Sequence, residues 1–352
     1  MRMTFRWYGE GNDKISLAQI RQIPGVDGIV WSLHDMPAGE LWSEERITKE
    51  VATIRQAGFH ADVVESVNVH EDIKLGLPTR DVYIDNYKET LRRLAKAGVK
   101  VVCYNFMPVF DWTRTELYHP LEDGSNALFF EQSRIQNIDP MELIKTLSQN
   151  VDVTMPGWEP ERLAKLEHTF VQYQGFTSEQ LWSNLQYFLE QVIPACEQYD
   201  IKLGIHPDDP AFAIFGLPRI ITNLTNIKRL LNLVDSPYNG LSLCTGSLGS
   251  INNDIPAIID QCFSRIHFMH VRNVKRFANG DFIETSHRAS DGSVDTVKVI
   301  KTLHKHGYTG YLRPDHGRHL WGEEEWARPG YGLYDRALGI MYLLGVWDSL
   351  ES

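Results

Sequence analysis

Four short apolar runs in the second half of the chain each end in a side chain able to bind a divalent cation. IKLGIH ends at His206, LSLC at Cys244, IHFMH at His270 and YLRPD at Asp315. Two imidazoles, a thiolate and a carboxylate can surround one ion and leave positions open for a substrate. Each residue alone also has a structural use. A histidine at a strand end is often simply hydrogen-bonded, Cys244 suits a small buried apolar site, and Asp315 in a Pro-Asp-His-Gly turn suits turn chemistry. The placement of all four on successive strand ends favours the metal. The donor set taken alone points to Zn²⁺, because thiolate and imidazole are borderline-soft ligands. His267, three residues before His270, points to the other side of an extended strand and reads as structural.

Groups suited to proton transfer stand beside this set. His316 directly follows Asp315, and Tyr331 lies in the glycine-flanked stretch RPGYGLYD. Histidine titrates near neutral pH, whereas a tyrosine needs a neighbouring cation to lower its pKa. A solvated loop histidine and a packing tyrosine are the structural alternatives. His287 and Arg288, in the segment after the seventh strand, are candidates for substrate contact because loops on that side face the barrel mouth.

Ligands from four separated segments converge only if the segments are neighbouring strands opening at one end. Apolar runs rich in Val, Ile and aromatics alternate with helical patterns along the chain, as in parallel strands joined by helices. Eight such runs are read at residues 3–8, 28–33, 62–67, 99–106, 201–206, 240–245, 266–272 and 310–314. The fold class expected is α/β, a (β/α)₈ TIM barrel whose carboxyl-terminal strand ends form the site. Ser43 opens one helix, Thr177 with Gln180 forms a capping-box pattern before another, and Gly58 and Gly98 read as stops. The alternation breaks over 111–176, where two short helical patterns, one opened at Asp139–Pro140, are expected as an insertion over the mouth. A smaller break covers 273–292. A single elaborated domain, 1–352, is expected.

Composition excludes several classes. The chain has 352 residues, 43% of them hydrophobic and 23% charged, which is globular rather than disordered or fibrous. No apolar run is long enough to span a bilayer, and the amino terminus shows no signal-peptide core. The formal net charge of −11 disfavours nucleic acid and anionic membranes as partners. The four cysteines are far apart and form no Cys-x-x-Cys pair, so reduced thiols and a cytoplasmic location are expected.

The stretches HPDDPAFAIFGLPRI, LCTGSLGS with NNDIP, FMHVRN, HRASDGSVD, LRPDHG and PGYGLYDRALG resemble, in that order, motifs of bacterial mannonate dehydratases. The resemblance spans the chain and is densest from His206 onward. It implies a xylose-isomerase-like TIM barrel that uses Mn²⁺ or Fe²⁺, in place of the Zn²⁺ suggested by the donors. The implied reaction is dehydration of D-mannonate to 2-keto-3-deoxy-D-gluconate in hexuronate breakdown. By the same resemblance His206, Cys244, His270 and Asp315 hold the metal, and His316 and Tyr331 act in catalysis. Asn105, Arg313 and Arg288 are candidate contacts to the aldonate, and a homo-oligomer, a dimer, is expected. Three alternatives remain at this level: a metal-dependent sugar isomerase of the same barrel type, a barrel endonuclease, and a non-catalytic sugar-acid sensor. Isomerases usually offer several carboxylates to their metals, and the net charge disfavours the nuclease. A sensor needs no proton-transfer groups.

Overall fold

Eight short strands, Arg2–Arg6 (β1), Val26–Trp31 (β2), His60–Glu65 (β3), Val101–Tyr104 (β4), Lys202–Ile205 (β7), Asn239–Cys244 (β8), Ile266–His270 (β9) and Tyr311–Arg313 (β12), close into a parallel barrel. Their order round the barrel is β1-β12-β9-β8-β7-β4-β3-β2. This is a computed structural model, and it describes residues 1–137 and 168–351. The expected strands match the observed ones to within two residues at either end. They were legible because β4, β8 and β9 are buried along their whole length, and strands covered on both faces read as continuous apolar runs. Val30, Val63, Val101, Cys103 and Phe268 fill the barrel interior. Outside it, helices such as Arg80–Lys96 and Ser178–Tyr199 bury Leu91, Leu94, Leu185 and Phe188 against the strands.

The helix starts and stops follow local chemistry. Ser43 caps Glu44–Gln56 by accepting from the Arg46 amide, and Thr177 and Gln180 form a reciprocal capping box before Ser178–Tyr199. Gly58 and Gly98 follow their helices with φ of +84° and +96°, a left-handed backbone that glycine adopts without a Cβ penalty. No helix among the described residues is long and apolar enough to cross a membrane.

The insertion after β4 holds strands that were not expected besides its helical residues. Its described part contains two strands, Glu116–Pro120 (β5) and Asn126–Phe130 (β6), followed by a short helix, Gln132–Asn137. The helix start read at Asp139–Pro140 lies outside the described residues. The second break supplies Val274–Arg276 (β10) and Phe282–Glu284 (β11), and the two segments join as one antiparallel sheet in the order β10-β11-β6-β5. Phe282 pairs with Phe130 across the junction, their rings stacked with centroids 5.1 Å apart. β5 is only partly covered and has no clean alternation, and the partner that makes β6 a central strand lies about 150 residues further along the chain. Long-range pairing of that kind leaves no local periodicity to read.

Candidate active site

The four expected ligands meet at one place. His206 lies one residue beyond β7, Cys244 and His270 end β8 and β9, and Asp315 lies two residues beyond β12. One donor atom from each falls within 4.8 Å of all the others. His206 keeps its Nδ1 2.7 Å from the Pro207 carbonyl, which leaves Nε2 for an ion. Cys244 Sγ stands 3.4 Å from Asp315 Oδ2 and 3.4 Å from the Ser247 amide. His270 is fully buried, and neither of its ring nitrogens makes a hydrogen bond. Buried polar atoms are nearly always partnered, so an imidazole whose Nδ1 faces a carboxylate ligand without a hydrogen bond fits a metal ligand. Asp315 adopts φ +65°, uncommon for a residue with a side chain and costly unless its surroundings hold it there.

Charges around the cluster keep its carboxylates ionised. Burial opposes the charge on Asp315, but Arg313, with Nη2 2.8 Å from Oδ1, outweighs it together with His316 and Arg272. The carboxyl is held well below its ordinary range. Glu65, at the end of β3, behaves alike: burial raises it, and Arg313 at 2.8 Å, His270 and Arg6 bring it well below the usual value. Its second oxygen lies 3.4 Å from His270 Nε2, on the opposite side of the ring from the Nδ1 that faces Asp315 Oδ2 at 3.9 Å. A carboxylate behind a ligating histidine fixes the ring and raises its basicity. Glu65 was legible by the same strand-end rule that found His206, but was not singled out.

His316 and Tyr331 come together as a pair, with His316 Nε2 2.9 Å from the Tyr331 hydroxyl. Burial pushes the Tyr331 phenol well above its ordinary value, so it carries its proton at neutral pH. Both residues line a cavity of about 940 Å³ at the carboxyl ends of the strands, together with His206, Asp315, Asn105 and Arg313. His267 is buried and pushed down to about 3 by that burial, in keeping with a structural role.

Two expected substrate contacts are not at the cavity. His287 is buried with Nε2 2.8 Å from the Pro314 carbonyl, and its own carbonyl accepts from Thr296 at the start of the helix Thr296–Lys305. Arg288 is exposed, with Asp291 3.8 Å away. Neither lines the cavity. His287 is tied both to the turn before Asp315 and to the following helix, behind the cavity wall, and Arg288 faces solvent, so the structure gives neither side chain a surface on the cavity.

A buried lattice of two arginines and two carboxylates, with no local signal in the sequence, lies next to His316. Asp209, three residues after His206, takes Arg114 at 2.8 Å and Arg272 at 2.7 Å, and Glu284 takes the same two arginines at 2.8 and 3.1 Å. Arg272 passes over Gly246, where an added Cβ would lie 1.9 Å from its Nε. The glycine of LCTGS is required by that approach.

The whole chain, residues 1–352, matches the family described as D-mannonate dehydratase (UxuA). The chain belongs to this family. Mannonate dehydratase 1 of Halalkalibacterium halodurans is 62% identical over 353 residues, covering 100% of this chain and 97% of its own length. Mannonate dehydratase of Bacillus subtilis is 56% identical, covering 100% and 98%. The crystal structure of mannonate dehydratase from Streptococcus suis superposes with a TM-score of 0.87 at 44% identity, over 99% of this chain and 93% of that one. A 3-keto-D-glucoside 4-epimerase from E. coli, at 12% identity and a TM-score of 0.56, shares the fold alone.

Proposed function

We propose that the chain is a hydro-lyase that converts D-mannonate to 2-keto-3-deoxy-D-gluconate and water in hexuronate catabolism. The observation that carries this reading is a four-donor cluster that reaches the cavity through His206 and Asp315, beside a buried His–Tyr pair that lines the same cavity. Both are expected of an aldonate dehydratase, and the second has no use in a sensor. The reaction breaks the C2–H and C3–O bonds, forms a C2–C3 enol that ketonises, and needs no oxidant. A divalent ion held by His206, Cys244, His270 and Asp315 would supply Lewis-acid stabilisation of the negative charge that develops next to the substrate carboxylate.

The chain's own groups then divide the remaining work. His316 and Tyr331 move the protons: one is taken from C2, and one is given to the hydroxyl leaving C3. Arg313 and Asn105 line the cavity where the polar substrate must lie; Arg313 also offsets the charges of Glu65 and Asp315. With Mn²⁺ or Fe²⁺ as the ion, Zn²⁺ is the competitor that the thiolate and imidazoles would also accept. The enzyme is taken to be cytoplasmic, in keeping with four buried, unpaired cysteines, and to form a homodimer. The test is a panel of aldonates given to Mn²⁺-loaded protein, with the 2-keto-3-deoxy acid measured. D-Mannonate should have the highest kcat/KM. Faster turnover of gluconate or a pentonate, or formation of a ketose, would overturn the assignment.

A further inference from the structure

Glu284 belongs to neither the barrel nor the metal cluster. It ends β11, in the sheet that the two insertions build together. Its Oε1 receives Arg114 Nη2 at 2.8 Å and Arg272 Nη1 at 3.1 Å, and lies 2.9 Å from His316 Nδ1. Arg114, Arg272, Asp209 and Glu284 are each no more than 1% exposed. Buried ion pairs seldom stabilise a fold beyond what apolar side chains of the same volume would, so a four-charge lattice against a catalytic histidine calls for another role.

That role follows from what each neighbour of His316 can offer. A guanidinium only donates and a carboxylate only accepts. Arg272 Nη1, 2.7 Å from His316 Nδ1, therefore calls for a bare Nδ1, whereas Glu284 calls for Nδ1–H. On the other nitrogen, Tyr331 sides with Glu284, and Asp315 Oδ1, 3.9 Å from Nε2, lies beyond hydrogen-bond reach. The protonated Tyr331 hydroxyl, 2.9 Å from Nε2, can donate only if that nitrogen is bare, which puts the ring hydrogen on Nδ1. Arg272 has other acceptors in Asp209 at 2.7 Å, Ser247 at 3.1 Å and Glu284 itself. It loses little if Nδ1 is a donor. We propose that Glu284 is a positioning residue that holds His316 as its Nδ1–H tautomer, with Nε2 bare toward Tyr331 and the cavity, and that the sheet joining the two insertions delivers it there. This rests on the dehydratase reading and adds a residue outside the barrel to it.

The test is Glu284→Gln, assayed as Mn²⁺-loaded enzyme with D-mannonate. The amide oxygen stays with the two arginines, the neutral group holds Nδ1–H less strongly, and the competing demand of Arg272 turns the ring to the Nε2–H form. Turnover should fall on the order of 10²-fold or more, the usual contribution of a positioned acid–base group. KM should stay within about threefold, as for a change that leaves ground-state binding intact, and the metal content should equal that of wild type. Arg114→Met removes another member of the lattice with no contact to His316, so it should lower the melting temperature with a much smaller loss of kcat. If Glu284→Gln does not fold, the charge-balanced pair R114M/E284M, compared with R114M alone, gives the same reading. Wild-type kcat in Glu284→Gln, a change confined to KM, or an equal kcat loss in Arg114→Met would overturn the proposal. Absence of keto acid from the wild-type enzyme in the same assay would instead defeat the dehydratase reading.

Discussion

Asp315 leaves β12 in a left-handed backbone, takes Arg313 at 2.8 Å on one oxygen and faces Cys244 Sγ and His270 with the other. Its side chain is set by the cluster and its chain direction presents His316 to Tyr331. His316→Asn and Tyr331→Phe are therefore expected to keep their metal and bind mannonate while kcat falls on the order of 10²-fold each. Metal analysis and kcat on enzyme loaded with the same ion check this, and a folded, loaded Tyr331→Phe with near-full activity would remove the phenol from the mechanism. Cys244→Ser should retain less metal after dialysis, because a neutral hydroxyl is a far poorer ligand than a thiolate; equal retention would place the ion elsewhere. The four ligands could be read because each ends an apolar run. Arg114 and Glu284 could not, since they reach the site from two insertions that pair with each other, and Asp209 and Arg272 stand inside the quoted motifs HPDDP and FMHVRN with nothing local to mark their partnership.

Parallel barrel strands announce themselves through burial on both faces, and helix ends through caps such as Thr177 with Gln180. The small sheet does not, because its register, Phe282 opposite Phe130 and Ile283 opposite Phe129, is fixed by residues far apart in sequence. This is why β5 and β6 have no counterpart among the strands expected from sequence. Two glycines test how tightly the elements are packed. At Gly246 a Cβ would meet Arg272 Nε at 1.9 Å, so Gly246→Ala should cost about 1–3 kcal/mol as overpacking does, with kcat reduced as Arg272 shifts. At Gly345, within the helix Tyr334–Glu351, nothing lies within 4 Å of the added Cβ. Gly345→Ala should then stabilise by up to about 1 kcal/mol through helix propensity. Urea melts measure both, and equal effects would contradict the packing described here.

Across the molecule, buried carboxylates tie stability to pH. Burial works against ionisation of Asp209 and Glu284; Arg114 and Arg272 outweigh it for Asp209, and His316 with both arginines does so for Glu284, leaving both groups below their ordinary range. Their folded-state values lie below the unfolded ones, so their contribution is complete above roughly pH 4–4.5, the unfolded carboxylate range, and is lost as pH falls further. The melting temperature should drop below that range, and Arg114→Met, which removes one cause of both shifts, should show a shallower drop; parallel curves would contradict the lattice. The same site links metal to folding: an ion at a hundred times its Kd should add about 2.7 kcal/mol to stability. The central claim is that His206, Cys244, His270 and Asp315 hold the ion on which dehydration depends. It is tested most directly by stripping the protein with a chelator and following 2-keto-3-deoxy acid formation from D-mannonate as Mn²⁺ is returned. No product without metal, and recovery complete at one Mn²⁺ per chain, is the expected result; full turnover by thoroughly metal-free protein would contradict it.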